Sequence, residues 1–248
     1  MNPLLAGVFS LLSFFVSASS MSVVTQAREG IAQDDGKGLY LELLNSVFSG
    51  QDLKVSFETL PKARKLMKNG KFDMQLGEYS GRRLVYPKWA VDHQHMSAMY
   101  QFAKFTLWPG QGAFSRHKVG WVEGRDIHLQ GRKIGIAFDN FWEVLSLEKG
   151  IEMLHQGKIE ILMDDADAMW AEVRRQKLAP AQYRVQKVSF APVKLYVVFP
   201  MTAVGQKTAD RFDRRMWQLY ESGELVDLYY AYDRVEQLAN VVPSSSGN

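Results

Sequence analysis

Two segments of this chain echo one another. LMKNGKFDMQLGE, from Leu66 to Glu78, aligns without a gap on MLHQGKIEILMDD, from Met153 to Asp165. Gly70 falls on Gly157, Lys71 on Lys158, Phe72 on Ile159 and Asp73 on Glu160, a spacing of 87 positions. Each segment reads as the end of a helix, a glycine able to take the left-handed conformation that stops it, and an apolar strand closing on acidic residues. Repetition of one such unit predicts two lobes built on one plan.

The residues around the echo alternate in the same way. Ser22–Thr25 is a short apolar strand, and a polar loop follows with Asp34, Asp35, Gly36 and Gly38. Tyr40, Leu43, Leu44, Val47 and Phe48 then recur at helical spacing, and Gly50 ends that helix. Leu53, Val55 and Phe57 alternate as a strand, and Pro61 opens the next helix, where its missing N–H costs nothing. Ile134, Ile136 and Phe138 predict another strand, with a helix opening at Asp139–Glu143. Phe212, Met216, Leu219 and Tyr220 share a helical face, Gly223 interrupts, and Leu225, Leu228, Tyr229 and Tyr232 follow at the same period. These aromatics read as core. Strands alternating with helices predict an α/β fold with mainly parallel sheets.

With 248 residues, 46% of them hydrophobic and 23% charged, the chain is long enough for one large or two modest domains, with a sizeable buried core in either case. The formal charge of +3 is carried by scattered pairs such as Arg82-Arg83 and Arg174-Arg175, which argues against nucleic acid as a partner. There are no cysteines, which excludes disulfides, thiolate metal sites, cysteine nucleophiles and the acylated cysteine of a lipoprotein. Residues 1–18 read as a signal peptide. Leu4–Val16 is apolar but short for a bilayer, and Val16-Ser17-Ala18 offers a small-residue cleavage site, although no Lys or Arg precedes it. An uncleaved anchor is the alternative. The expected destination is the periplasm, as a secreted protein without a lipid anchor, and Ser244–Gly247 reads as a frayed tail.

In open parallel sheets, ligands bind beyond the carboxyl ends of the strands. If both lobes turn those ends inward, Glu78, Tyr79, Arg82 and Arg83 line a cleft from one side and Asp164 and Asp165 from the other. The predicted helix start at Asn140-Phe141 exposes N–H groups that suit an anion, or serves only as a cap. Trp89 is either a stacking surface for a ligand or a core side chain. His93 and His95 lack a third metal ligand nearby in sequence, so neither metal nor cofactor is expected. No nucleophile elbow, phosphate loop or zinc-protease motif is present.

Taken together, these segments resemble extracellular solute-binding proteins of family 3, the periplasmic binders of amino acid uptake systems. Gly38–Leu44 is similar to the family's first helix, Pro61–Met74 to its helix, turn and strand, and Ser80-Gly81-Arg82-Arg83 to a Thr-x-x-Arg motif with serine in place of threonine. Leu129–Ile136 resembles the start of the second lobe, and Leu219–Leu225 the closing segment. The resemblance covers about Met21 to Arg234. It implies a two-lobe periplasmic binding protein fold of type II, with residues 19–100 plus 192–240 as a discontinuous first lobe, 101–191 as the second, and 241–248 as a tail. It also implies that Arg83 holds a ligand carboxylate and Asp165 an ammonium group, with Ser80 beside them. The loop Gln26-Ala27-Arg28-Glu29-Gly30 departs from the family pattern, having neither its proline nor its stacking aromatic.

The function so implied is binding of a small polar solute, an amino acid or related carboxylate, by a monomer without catalysis that delivers it to a membrane permease. A sensor module serving a membrane receptor is the second reading. A small enzyme working through cleft carboxylates is the third.

Overall fold

The computed structural model describes residues 20–79, 83–133, 135–188 and 193–243. The expected signal peptide and the Ser244–Gly247 tail lie outside the described residues, as does Ser80. In the first lobe, β1 (Ser20–Thr25), β2 (Asp52–Phe57) and β3 (Met74–Glu78) form a parallel core in the order β2-β1-β3. Helix α1 (Leu39–Val47) links the first two and α2 (Leu60–Lys68) the second two. Strand β4 (Leu84–Val85) and β5 (Asp92–Gln94) follow, and the chain then leaves this sheet.

The second lobe starts with β6 (Ser97–Gln101), a short α3 (Ala113–Arg116) and β7 (Val119–Val122). After these come α4 (Ile127–Lys133), β8 (Phe141–Val144), α5 (Leu147–His155), β9 (Ile161–Asp164), α6 (Ala166–Arg175) and β10 (Tyr183–Lys187). Its sheet runs β10-β6-β9-β7-β8, with β7 parallel to both β8 and β9. The three-strand core β8-β7-β9 therefore repeats β2-β1-β3, and α5–β9 matches α2–β3. Gly70 and Gly157 both stand at positive φ, 65° and 69°, each turning a helix end into a strand as the echo requires.

The chain returns to the first sheet with β11 (Val193–Pro200), antiparallel to β3, β4 and β5. In the second sheet β6 takes the same place, antiparallel to β9. Both sheets are thus mixed where mainly parallel ones were expected. The return strands connect the lobes and run against their neighbours. The crossings fall between Gln94 and Ser97 and between Lys187 and Val193.

Each lobe has its own apolar interior. In the first, the α1 stripe of Leu39, Leu43, Leu44 and Val47 meets Phe212, Met216 and Leu219 of α7 (Ala203–Ser222). Leu225 and Tyr229 of α8 (Glu224–Ala231), with Leu238 and Val241 of α9 (Val235–Val241), close that core. A side chain at Gly38 would come within 2.5 Å of the Ile31 carbonyl, so the entry to α1 requires glycine there. In the second lobe Trp121 is fully buried among Phe114, Phe138 and Ile161.

One stretch differs from the expectation. Residues 135–138 are irregular and no helix opens at Asp139. Instead Phe141–Val144 pairs with Val119–Val122 as an edge strand, and α5 starts at Ser146, whose hydroxyl accepts the Lys149 N–H at 3.2 Å. Ile136 and Phe138 are apolar because they pack against the second core from a loop, which mimics the alternation of a strand.

Candidate functional site

Strands β3 and β9 end in buried carboxylates. Glu78 is 0% exposed and Asp164 1%. At both ends the chain turns so that the next N–H meets the acid: Tyr79 N donates to Glu78 at 2.8 Å and Asp165 N to Asp164 at 2.7 Å. Buried charge demands a partner. Arg64 of α2 forks onto Glu78 at 2.7 and 2.8 Å, a bidentate geometry suited to its guanidinium. Burial opposes the Arg64 cation, but the Glu78 carboxylate more than offsets it and its pKa lies above the ordinary value. Arg125, just beyond β7, reaches Asp164 at 3.1 Å and donates to Gln94 at 2.6 Å.

A third pair lies beside the crossing between lobes. Asp92 accepts from Arg234 at 2.9 Å, from the Tyr40 hydroxyl at 3.1 Å and from His93 N at 2.8 Å. Burial still raises its pKa despite Arg234 and Arg28. Tyr40 itself, buried and facing that carboxylate, is raised well above the ordinary tyrosine range.

The lobes meet across these charges. Gly124, in the turn after β7, offers its carbonyl to Arg64 at 2.9 Å and to the Tyr79 hydroxyl at 2.8 Å. Its φ of 83° suits glycine, and a Cβ there would stand 3.3 Å from the Pro61 ring. Arg64 also lies 3.6 Å from Asp126. Between the lobes remains a cavity of about 20 Å³, lined by Thr25, Gln26, Arg28, Tyr79 and Arg125 with apolar Ile31 and Leu195. By that measure it has room for a water or little more. A ligand the size of an amino acid needs the lobes to part.

The sequence-predicted residues divide. Glu78 and Tyr79 reach the interface between lobes, Glu78 as the buried partner of Arg64 and Tyr79 as a wall of the cavity. Asp165 caps α6 through the Ala168 N–H at 3.1 Å and stands 4.0 Å from Arg28. Arg83 is exposed, at a φ of 60°, in the turn that enters β4, and it does not line the cavity. Arg83 immediately precedes Leu84, which pairs with Pro200 of β11. Asn140 is exposed, and its carbonyl accepts from Val119 N. Phe141 lies on the edge strand, stacked on Trp121 with ring centroids 4.8 Å apart. Trp89 is 2% exposed in the first core, against Trp217 and Tyr220. These last two aromatics serve packing, and no helix start exists at Asn140 to hold an anion. His93 and His95 face each other, Nε2 to Nε2 at 3.3 Å, and among the described residues no group of three or more metal-ligating side chains occurs.

Sequence reasoning missed Arg28, Arg64 and Arg125. Arg28 and Arg125 follow the carboxyl ends of β1 and β7, so the strand-end rule applied to every strand would have found them. Arg64 had no such signal. It lies on a helix of basic residues and is distinguished only by what it meets.

No protein-family model and no curated protein sequence matches this chain. Solved structures do. EhuB in complex with hydroxyectoine covers 90% of this chain and 91% of its own length, with a TM-score of 0.76 and 15% identity. An ancestral arginine-binding protein bound to glutamine covers 86% and 97%, with a TM-score of 0.72 and 12% identity. A histidine kinase sensor domain with similarity to periplasmic binding proteins covers 87% and 96%, with a TM-score of 0.72 and 13% identity. The fold is therefore that of the two-lobe periplasmic binding proteins. Among the described residues no helix is long and apolar enough to cross a membrane.

Proposed function

We propose that this chain is an exported binding protein that closes its two lobes over a small polar solute, an amino acid or related carboxylate, and presents it to a membrane transporter. The observation that carries the reading is a cavity between the lobes walled by Arg28 from one and Arg125 from the other. Strand ends of both lobes supply its polar groups, where sheets of this kind bind ligands. Closure by rotation about the two crossings is the motion such an architecture permits. Structures of the same fold bind hydroxyectoine or glutamine, which supports a small polar ligand. The protein acts in the periplasm as a monomer, and its role is to bind and release without turnover.

A kinase sensor domain among the similar structures favours a second reading, in which the closed form signals to a membrane receptor. Calorimetric titration of residues 19–248 with amino acids, small carboxylates and ectoines tests the shared premise. A ligand present at 100 times its dissociation constant stabilises the native state by about 2.7 kcal/mol, which a melting experiment reads independently. Cells deleted for the gene that lose uptake of the ligand found would support transport. Cells that keep uptake but lose ligand-dependent gene expression would replace transport by sensing. A folded protein that binds no member of the panel would overturn both.

A further inference from the structure

We infer that the anionic end of the ligand is held by Arg28, with Arg125 of the opposite lobe closing on the same group, and that Arg83 has no part in it. This rests on the binding function proposed above and names the chemistry of its site. Among the described residues the Arg28 guanidinium makes no hydrogen bond, and its nearest carboxylate, Asp165, stands 4.0 Å away. That is an ion pair without a directed contact, so the donor fork is unsatisfied while it lines the cavity. Arg125 spends two of its nitrogens on Gln94 and Asp164. Its Nε is buried without an acceptor, and the residue is 7% exposed. A buried donor left unpaired is costly, as the Arg125 Nε is, and with the partly exposed Arg28 fork facing the same cavity from the other lobe it is what an incoming acceptor would satisfy.

The charge of the wall points the same way. The polar side chains that line the cavity are those of Arg28, Arg125, Tyr40, Tyr79, Thr25 and Gln26, and none is a carboxylate. The acids near Arg28, which are Asp165, Asp164 and Asp92, are not among the lining residues. Asp164 is held by Arg125 and Asp92 by Arg234. Burial disfavours the Arg28 cation, yet Tyr40, Asp165, Asp164 and Asp92 together keep its pKa above the ordinary value, so it stays charged. A carboxylate matches this arrangement, since it can take the planar fork of one arginine and a further N–H from the other. A hydroxyl or a neutral amide could not take the bidentate, charge-assisted contact that the open Arg28 fork offers. Asp165 then competes with the ligand for Arg28 in the empty protein.

The test is calorimetric titration of wild type and three variants, Arg28→Gln, Arg83→Gln and Asp165→Asn, with L-lactate, succinate, L-glutamine and ectoine, and with glycerol as a neutral control. One or more of the carboxylates binds wild type and glycerol does not. Arg28→Gln weakens that binding by at least about 10-fold, the worth of one charged hydrogen bond. Arg83→Gln leaves it within about 2-fold, since an exposed side chain outside the cavity contributes little. Asp165→Asn tightens the binding of lactate or succinate by removing the competitor. Loss at Arg83→Gln with none at Arg28→Gln overturns the assignment while the binding function stands. Failure of every probe to bind folded wild type overturns the function and the assignment together. Should Arg28→Gln melt below the assay temperature, Arg28→Lys decides. It keeps the charge and loses the fork, so affinity unchanged from wild type would overturn the assignment.

Discussion

Replacing Arg64 with leucine should cost this protein far more than an ordinary surface change, and a second substitution should recover much of the loss. Arg64 donates twice to Glu78, at 2.7 and 2.8 Å, and Glu78 is fully buried. Without the guanidinium the buried carboxylate loses the cation that pairs it, while keeping the Tyr79 N–H and the Gln75 amide as hydrogen-bond donors. Breaking a buried pair in this way costs about 3–5 kcal/mol. For a chain of this size each kcal/mol moves Tm by roughly 2–4 °C, so Arg64→Leu should melt about 6–20 °C below wild type. The double variant Arg64→Leu with Glu78→Gln removes the orphaned charge and keeps an acceptor for Tyr79 N. The Gln75 Oε1, which has no hydrogen-bond partner among the described residues, can turn to accept the new amide. What remains is the loss of the hydrogen bonds Arg64 made, about 0.5–1.5 kcal/mol each, so the double variant should be more stable than the single. Thermal melts by circular dichroism at pH 7, repeated with denaturant, complete the double-mutant cycle. A double variant that melts at or below Arg64→Leu would refute the reasoning, because the damage would then owe nothing to stranded charge.

Two further outcomes are expected. Burial alone would raise the pKa of Glu160, but Lys104, the Lys118 N–H and His117 bring it from 4.5 down to about 2. A lowered carboxylate stabilises the fold above its unfolded pKa and loses that contribution as pH falls. Glu160→Gln should therefore be about 1 kcal/mol less stable than wild type at pH 7, after allowance for solvent screening, with the gap closing between about pH 4.5 and 2 in pH-dependent denaturation. Trp89→Ala, which empties a site in the first core, should cost about 3–5 kcal/mol, whereas Trp142→Ala on the exposed edge strand should stay within about 1 kcal/mol by urea titration. Equal costs would contradict the assignment of Trp89 to the core.

Much of the architecture was legible in the sequence because it is written in local terms. The glycines at 70 and 157 stop helices by their own freedom at positive φ, and the apolar stripes of α1 and α7 face inward by their period alone. Repetition of one helix–glycine–strand unit was enough to foresee two lobes of one design, and the strand-end rule led to Glu78 and Tyr79. The misreadings fall where local pattern and tertiary environment part. Ile136 and Phe138 alternate like a strand but serve a core from a loop, and Trp89 carries a ring fit for stacking on a ligand but spends it on Trp217 and Tyr220. Arg83 stands in the expected motif, yet β3 stops at Glu78 and leaves it in solvent. Which arginine meets which acid is a matter of distances between elements far apart in the chain: Arg64 with Glu78, Arg125 with Asp164 and Arg234 with Asp92. Sequence determined that charges would gather at the strand ends. Only the packing of two lobes against each other decided which of them are neutralised in the interior and which, Arg28 above all, keep a hydrogen-bonding fork open toward the cavity.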